Sequence, residues 1–303
     1  MSKQQVRVGD HVLAVSNLDK VLYPESNTTK ADVLGYYVRV SEVLLPHLAD
    51  RPVTFKRFPD GAHTDGFFQK RCPDHRPEWL DTLTLGEAGR DRVVEHCNIV
   101  DASGLAWAAN LAALELHVPL ARAPNTSRPD QVVFDLDPGP GTDVVDCAAV
   151  ALQIHALMEQ LGLACWVKTS GSKGLQVYVP IKPSSYERTR AFAETVARGL
   201  ESRFPQQVVS VQKRTARKDK VLIDWYQNHR TKTTVCAYSL RARPRPTVST
   251  PVTWAEVEHA AAKHDRHALI FEIDDVLARI ETHGDLFAPV ATERQELPAL
   301  RPS

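Results

Sequence analysis

The sequence predicts an α+β fold, and three observations carry that expectation. Beyond residue 130 the apolar pattern reads strand, helix, strand, strand, helix, strand, strand, an order that folds into one sheet with helices on one side. Strands in this stretch end on aspartate beside turn residues, most clearly in residues 131–141, QVVFDLDPGPG. Helices begin on capping signatures, Thr29 with Asp32 and Ser184-x-x-Glu187.

Within residues 131–141, Val132, Val133 and Phe134 form the body of a buried strand, and Pro138-Gly139-Pro140-Gly141 ends it. Side chains alternate along a strand, so Asp135 and Asp137 share a face and Leu136 points to the other. Two carboxylates about 4 Å apart repel by roughly 4 kcal/mol at an effective dielectric near 20. A divalent cation between the oxygens removes that cost, and hard oxygen ligands suit Mg²⁺ or Mn²⁺. The same pair also reads as turn-forming aspartates capping the next helix, and D-x-D alone does not separate the two readings.

After this strand, residues 143–161 read as a helix closed by Gly162. Strands at 165–168 and 175–179 flank the loop Thr169-Ser170-Gly171-Ser172-Lys173-Gly174. Phe192, Val196, Leu200 and Phe204 recur on one face of the helix begun at Ser184. Strands near 208–211 and 221–224 follow, and residues 251–303 read as helical and acidic.

Toward the N-terminus, NLDKVLYP opens the globular part, and the helix capped by Thr29 runs to about Leu45. A strand from Val53 to Phe58 sets Arg57 on the face of Val53 and Phe55. The adjacent aromatics Phe67 and Phe68, beside Lys70, read as a half-buried pair or as a platform for stacking bases. Residues 81–100 read as a hairpin, and Gly104 to His117 as a helix ended by Pro119. RAPNTSRPD, Arg122 to Asp130, is the linker candidate. The expected organisation is an N-terminal α/β module over 1–125, a core over 126–250 and a helical segment over 251–303.

The 37 basic and 37 acidic residues cancel, so net charge does not advertise a nucleic-acid protein. Distribution is more informative. Lys213, Arg214, Arg217, Lys218, Lys220, Arg230, Lys232, Arg241, Arg243 and Arg245 face only Asp219 and Asp224 in the same stretch. Such a stripe suits phosphate, or is a solvated loop. Five scattered cysteines predict reduced thiols, and His63, Cys72, His75 and Cys97 match no standard zinc spacing. No signal-peptide core and no apolar run of membrane length is present, which predicts a cytoplasmic protein without membrane contact.

Asp224 ends the apolar strand VLI and repeats the pattern of Asp135 and Asp137. The loop from Thr169 to Gly174 is small and basic, with backbone N–H groups, hydroxyls and Lys173 suited to wrapping a phosphate. Three strand-end carboxylates, a phosphate loop and a basic stripe together suggest two-metal chemistry on a nucleoside triphosphate.

The motifs NxDKVLYP, TTK, FFQK, GLAW, LELHVP, FDLDPG, TSGSKGL, IDWYQN and YSLRARP occur in that order across nearly the whole chain. In them the sequence resembles the archaeo-eukaryotic primase superfamily, and more closely the polymerase domain of the bacterial end-joining ligase D and its free-standing relatives. The resemblance implies a primase-polymerase core, an RRM-like sheet with helices, with the N-terminal α/β module packed against it. It implies that Asp135, Asp137 and Asp224 are catalytic and hold two divalent ions, Mn²⁺ or Mg²⁺. Ser170, Ser172 and Lys173 would bind the triphosphate of an NTP or dNTP, with Arg57, His117, Lys232, Arg241 and Arg243. Asn17, Lys20 and Lys30 would receive the 5′-phosphate of gapped or broken DNA, and Phe67, Phe68 and Lys70 would meet the template.

One position departs from the family, which usually carries His where this chain has Gln176. Glutamine hydrogen-bonds a phosphate or ribose hydroxyl but cannot become cationic. The implied function is a template-dependent nucleotidyltransferase that fills short gaps and extends primers at breaks, preferring NTPs. A separate DNA ligase and a Ku-type end-binding protein are the implied partners, and the nucleoid the implied location. The competing readings are a DNA-end binder of weak catalysis and a D-x-D glycosyltransferase.

Overall fold

The computed structural model describes residues 3–86 and 93–299. The chain enters with an antiparallel hairpin, β1 (Lys3–Val8) and β2 (His11–Ser16), followed by the short pair β3 (Val21–Tyr23) and β4 (Thr28–Thr29). Two helices follow, α1 (Lys30–Arg39) and α2 (Ser41–Leu48), then β5 (Thr54–Arg57), β6 (Phe67–Gln69), the hairpin β7 (Thr82–Gly86) with β8 (Val93–Cys97), α3 (Ala102–Asn110) and β9 (Ala113–Val118). Next come β10 (Gln131–Pro138), α4 (Val144–Gln160), β11 (Trp166–Thr169), β12 (Leu175–Pro180), α5 (Tyr186–Arg203), β13 (Val208–Val209) and β14 (Val221–Asp224). The remainder supplies β15 (Thr234–Val235), β16 (Pro251–Val252), α6 (Trp254–Lys263), α7 (Ile273–His283) and α8 (Ala288–Thr292).

These elements sort into two compact units. The first comprises Met1–Pro124, Thr233–Ser249 and Phe271–Gly284; the second comprises Asn125–Lys232, Thr250–Ile270 and Asp285–Ser303. The chain is therefore α+β throughout, as expected.

The first unit is built on a four-stranded sheet of order β15-β9-β5-β6. Thr29 caps α1 and exchanges hydrogen bonds with Asp32 as its capping box requires. Tyr36 and Tyr37 are fully buried, and both hydroxyls bond to the later return of the chain: Tyr36 donates to the Tyr238 carbonyl at 2.8 Å, and Tyr37 accepts from the Leu240 N–H at 3.1 Å.

Three expectations fail in this unit. The helix capped by Thr29 does not run unbroken to Leu45; it stops at Arg39, and α2 restarts at Ser41 after Val40. Residues 113–117 are strand, not helix. The helix ends at Asn110, Ala112 takes a left-handed φ of 55°, and β9 pairs with β5. Ala and Leu content favours a helix there, but sheet pairing overrides propensity. Cys72 and Cys97 are joined in a disulfide, so the expectation of reduced thiols holds only for the buried Cys147, Cys165 and Cys236. The Cys72 N–H donates to the Glu95 carbonyl, which holds the loop after β6 against β8, the strand that ends in Cys97. That pairing consumes both sulfurs of the zinc alternative. Among the described residues the one converging group of three or more such ligands is the aspartate triad.

The second unit is built on a six-stranded sheet of order β13-β14-β10-β12-β11-β16, antiparallel except for β13 against β14. Its central strand is β10. Val132, Phe134 and Leu136 are fully buried, and Phe134 meets Phe192 of α5 at 6.5 Å between ring centroids. On the other side of the same strand Gln131 and Val133 are buried as well, and Asp135 and Asp137 emerge only toward its end. Helix α4 is capped by Asp143, with Asp146 completing the box. The cap of α5 is Ser185, one residue later than expected, because Ser184 is buried with its N–H on the Pro129 carbonyl.

Candidate metal centre and nucleotide site

Strand register assembles the site. Asp135 on β10 is the direct cross-strand partner of Asp224 on β14 and, on its other side, of Gln176 on β12. Gln176 is in turn the partner of Lys168 on β11. Cross-strand partners share a face, so Asp224, Asp135, Gln176 and Lys168 form one row across the sheet. Asp137, two residues along β10, lies on that face too.

The three carboxylates bring oxygens within 4.8 Å of one another. Asp224 is buried, Asp135 half-buried and Asp137 exposed, so the group opens outward. Burial above all, then Asp137 and Asp224, pushes the Asp135 carboxyl up to about 7, against the lowering pull of the Gln176 amide and of Lys168. Burial and then Asp137 also raise Asp224, opposed by the Tyr226 N–H, Lys232 and Gln227. These are carboxylates held close at an electrostatic cost, and an all-oxygen donor set of this kind fits Mg²⁺ or Mn²⁺.

From Asp224 onward, every residue of the IDWYQN motif has a local task. Asp224 Oδ1 accepts from Gln212 Nε2 at 2.7 Å and from the Tyr226 N–H at 3.1 Å, and Oδ2 accepts from Gln227 Nε2 at 3.2 Å. These bonds fix the carboxylate's orientation. Asn228, fully buried, bonds both the N–H and the carbonyl of Val133 and so continues the pairing of β10 beyond the end of β14. Trp225 Nε1 donates to the Ser210 carbonyl at 2.8 Å. Lys232 sits 5.6 Å from the Tyr226 ring centroid.

The loop Ser170 to Gly174 lies against the same strand. A Cβ at Gly174 would stand 1.8 Å from the Leu136 carbonyl oxygen, so only glycine allows this approach. Ser170 Oγ accepts from the N–H groups of Ser172 and Gly174, which makes it the loop's own brace. Ser172 and Lys173 are exposed.

The other sequence-derived candidates belong to the first unit. His117 Nε2 is 2.8 Å from Glu115 Oε2, and Arg241 Nε is 3.3 Å from Glu115 Oε1. Burial is the largest influence on Glu115 and would raise its carboxyl. The His117 hydrogen bond, Arg241 and the Ala242 N–H together outweigh it and hold the group at about 2. Burial lowers His117, so a neutral imidazole donates from Nε2 to an ionised Glu115. Arg243 is half-exposed, its N–H on the Arg241 carbonyl.

Arg57 donates to the Leu111 carbonyl at 2.8 Å and to Gln69 at 2.7 Å, with its guanidinium 5.4 Å from the Phe67 ring centroid. Lys56 lies near the rings of Phe58 and Phe68. Phe67 and Phe68 are 47% and 59% exposed, a large apolar surface left in water, and Lys70 is exposed beside them.

Asn17, with φ of 53°, and Lys20 sit in one turn, where the Lys20 N–H bonds the Asn17 carbonyl. The Lys30 N–H bonds the Lys20 carbonyl. Lys30 Nζ donates to the Ser16 carbonyl at 2.7 Å, and Lys20 pairs with Asp60 at 3.2 Å. Burial first, then Lys20 and Arg57, lowers the Lys30 ammonium to about 8.

Several polar residues of these sites went unassigned from sequence, Tyr226 and Gln227 among them. Glu115 had a usable signal, because it alternates with His117 in LELH. Lys168 stood out only as a lysine within an apolar strand. Gln212 carried no signal.

Comparison with known proteins supplies the family. Residues 29–287 match the LigD primase-polymerase domain. The chain is 40% identical over 279 residues to the multifunctional non-homologous end joining protein LigD of Mycolicibacterium smegmatis, covering 91% of this chain and 36% of that protein. It is 33% identical to the bifunctional LigD of Bacillus subtilis, covering 94% and 45%. The chain thus spans less than half the length of these relatives. A solved structure, the polymerase domain from Mycobacterium tuberculosis ligase D in complex with DNA, superposes with a TM-score of 0.86 at 40% identity, covering 93% of this chain and 99% of that one. The chain belongs to the LigD primase-polymerase domain family and is, by that membership, a nucleotidyl-transferring polymerase domain.

Proposed function

We propose that this domain extends a DNA-held primer or fills a short gap at a DNA break, using Asp135, Asp137 and Asp224 to hold two divalent ions. The observation that carries the reading is the cross-strand pairing of Asp135 with Asp224 beside Asp137, in a chain of this family. Bound ions would supply charge neutralisation at the transferring phosphoryl group. Gln176 orients Asp135, and the Gln212, Tyr226 and Gln227 donors orient Asp224. The exposed Ser172 and Lys173 would bind the triphosphate, with His117, Lys232, Arg241, Arg243 and Arg57 as further nucleotide contacts.

DNA is the proposed polymer partner, as it is for the M. tuberculosis polymerase domain. Asn17, Lys20 and Lys30 would receive a downstream 5′-phosphate, and Phe67, Phe68 and Lys70 the template. A separate ligase activity and a Ku-type end-binding protein complete the proposed setting, within the nucleoid. Family membership sets aside the glycosyltransferase reading. Among the described residues no helix is long and apolar enough to cross a membrane.

The test is gap filling on a 5′-phosphorylated duplex with NTPs or dNTPs and with Mg²⁺ or Mn²⁺. Metal-dependent templated incorporation is expected, with NTPs favoured because a ribose 2′-OH partner left unpaired by dNTPs costs roughly 1–3 kcal/mol. Tight DNA binding with no incorporation under any of the four conditions would replace this reading with that of an end-binding protein.

A further inference from the structure

The row across the second unit's sheet ends in a lysine that the phosphate loop and the carboxylates leave unexplained. Lys168 is 1% exposed, in the middle of a four-residue strand. Its Nζ donates to Gln176 Oε1 at 2.6 Å, and Gln176 Nε2 donates to Asp135 Oδ1 at 3.0 Å. Lys168 Nζ lies 5.6 Å from the Tyr178 ring centroid, and the Tyr178 hydroxyl is 3.5 Å from the same Gln176 oxygen. A buried ammonium is costly unless negative charge lies nearby. Here that charge is the carboxylate group, reached through one polarised amide whose oxygen faces the cation and whose nitrogen faces the anion.

We infer that Lys168 is a resident cation of the carboxylate site, which acts through the Gln176 amide to offset the charge of Asp135 and so weakens the hold of the site on divalent ions. The inference rests on the metal reading of the aspartate triad. Two consequences are linked. A fixed positive charge behind the carboxylates opposes an incoming divalent ion, and it relieves their mutual repulsion while no ion is bound. Lys168 is a positioning and charge-setting residue; it touches Gln176, not the reacting atoms.

The test is direct Mn²⁺ titration of the full chain at pH 8.5, on the alkaline side of Asp135 so that a proton does not compete with the ion, without nucleotide or DNA, following the free-ion electron paramagnetic resonance signal. Lys168→Met should bind Mn²⁺ about tenfold more tightly than wild type, the scale expected for removing one partly shielded unit charge near a divalent ion. Its melting temperature should also rise more on Mn²⁺ addition than that of wild type. Lys168→Gln keeps a polar donor for Gln176 without the charge and guards against misfolding of the methionine variant; it should show the same tightening. Lys182→Met, which removes an exposed charge paired with Glu296, should leave the affinity unchanged. Wild-type affinity, or weaker, in both Lys168 variants would overturn the inference. Failure of the wild type itself to bind Mn²⁺ would instead remove the metal reading on which it rests.

Discussion

Asp135 and Asp224 are direct partners across adjacent antiparallel strands, although a helix pair and three strands separate them in sequence. The site therefore exists only once β14 has docked beside β10. Its carboxylates then repel without an ion between them, which gives the first prediction. Asp135→Asn should raise the melting temperature of the metal-free protein above pH 7, abolish the stabilisation by Mn²⁺ and reduce incorporation by at least about a hundredfold. Calorimetry with and without Mn²⁺, beside a primer-extension assay, checks all three. A less stable metal-free variant would contradict the account of strain between the aspartates.

Glu115 gives a pH prediction. Its carboxyl is held at about 2, below its ordinary value of 4.5, so it contributes stability above the unfolded value and loses it as pH falls toward 2. The contribution at neutral pH is on the order of 3 kcal/mol. Glu115→Gln should therefore lower the urea midpoint by a constant amount from pH 7 to about 5, with the gap narrowing below pH 4.5. A gap that stays unchanged down to pH 3 would show that the charge of Glu115 is not what stabilises the fold.

Lys20 and Lys30 give a prediction about DNA ends. A gapped duplex with a 5′-phosphate should bind at least about tenfold more tightly than its 5′-hydroxyl counterpart, through charge-assisted hydrogen bonds. Because the Lys30 ammonium is lowered to about 8, phosphate binding takes up a proton above that pH, and the preference should shrink between pH 7 and 9. Lys20→Ala with Lys30→Ala should erase it. Fluorescence anisotropy with both duplexes decides the matter, and equal affinities at pH 7 would remove the N-terminal turn from end recognition.

Gly174 gives a steric prediction. Alanine there would drive a Cβ into the Leu136 carbonyl oxygen, on backbone that cannot swing aside. Gly174→Ala should cost on the order of 3 kcal/mol of stability and raise the nucleotide KM by displacing the Ser170–Gly174 turn. Unchanged KM together with unchanged stability would mean that the loop and strand are less closely packed than described.

Much of this was legible in the residues. Asp135 and Asp137 could be placed on one face from strand alternation alone, and Asp224 from its position at the end of VLI. Thr29 and Asp32 announced the start of α1. What stayed hidden depended on register between segments distant in sequence. Nothing in CWVKT says that Lys168 stands opposite Gln176, and nothing in QKRC or EHC says that Cys72 meets Cys97. The misread stretch at 104–117 failed for a different reason. Its Ala and Leu content suits a helix, while the alternation that marks β9 occupies only the last few residues, where Leu114 and Leu116 face one way and Glu115 and His117 the other.

The first unit is assembled from three separated pieces of chain, and this has a consequence for its birth on the ribosome. Residues 1–124 emerge first, yet β9 lacks its partner β15, and the tyrosines at 36 and 37 lack Tyr238 and Leu240. At about 5–20 residues per second, more than a hundred further residues must be translated, a delay of roughly 5–25 s, before that edge can close. The second unit's central strand and both its long helices are complete in the interval. A nascent chain halted near residue 230 would thus expose the β9 edge and an open tyrosine cluster, and limited proteolysis of such stalled chains should cut within residues 1–124 at sites that the full-length protein protects.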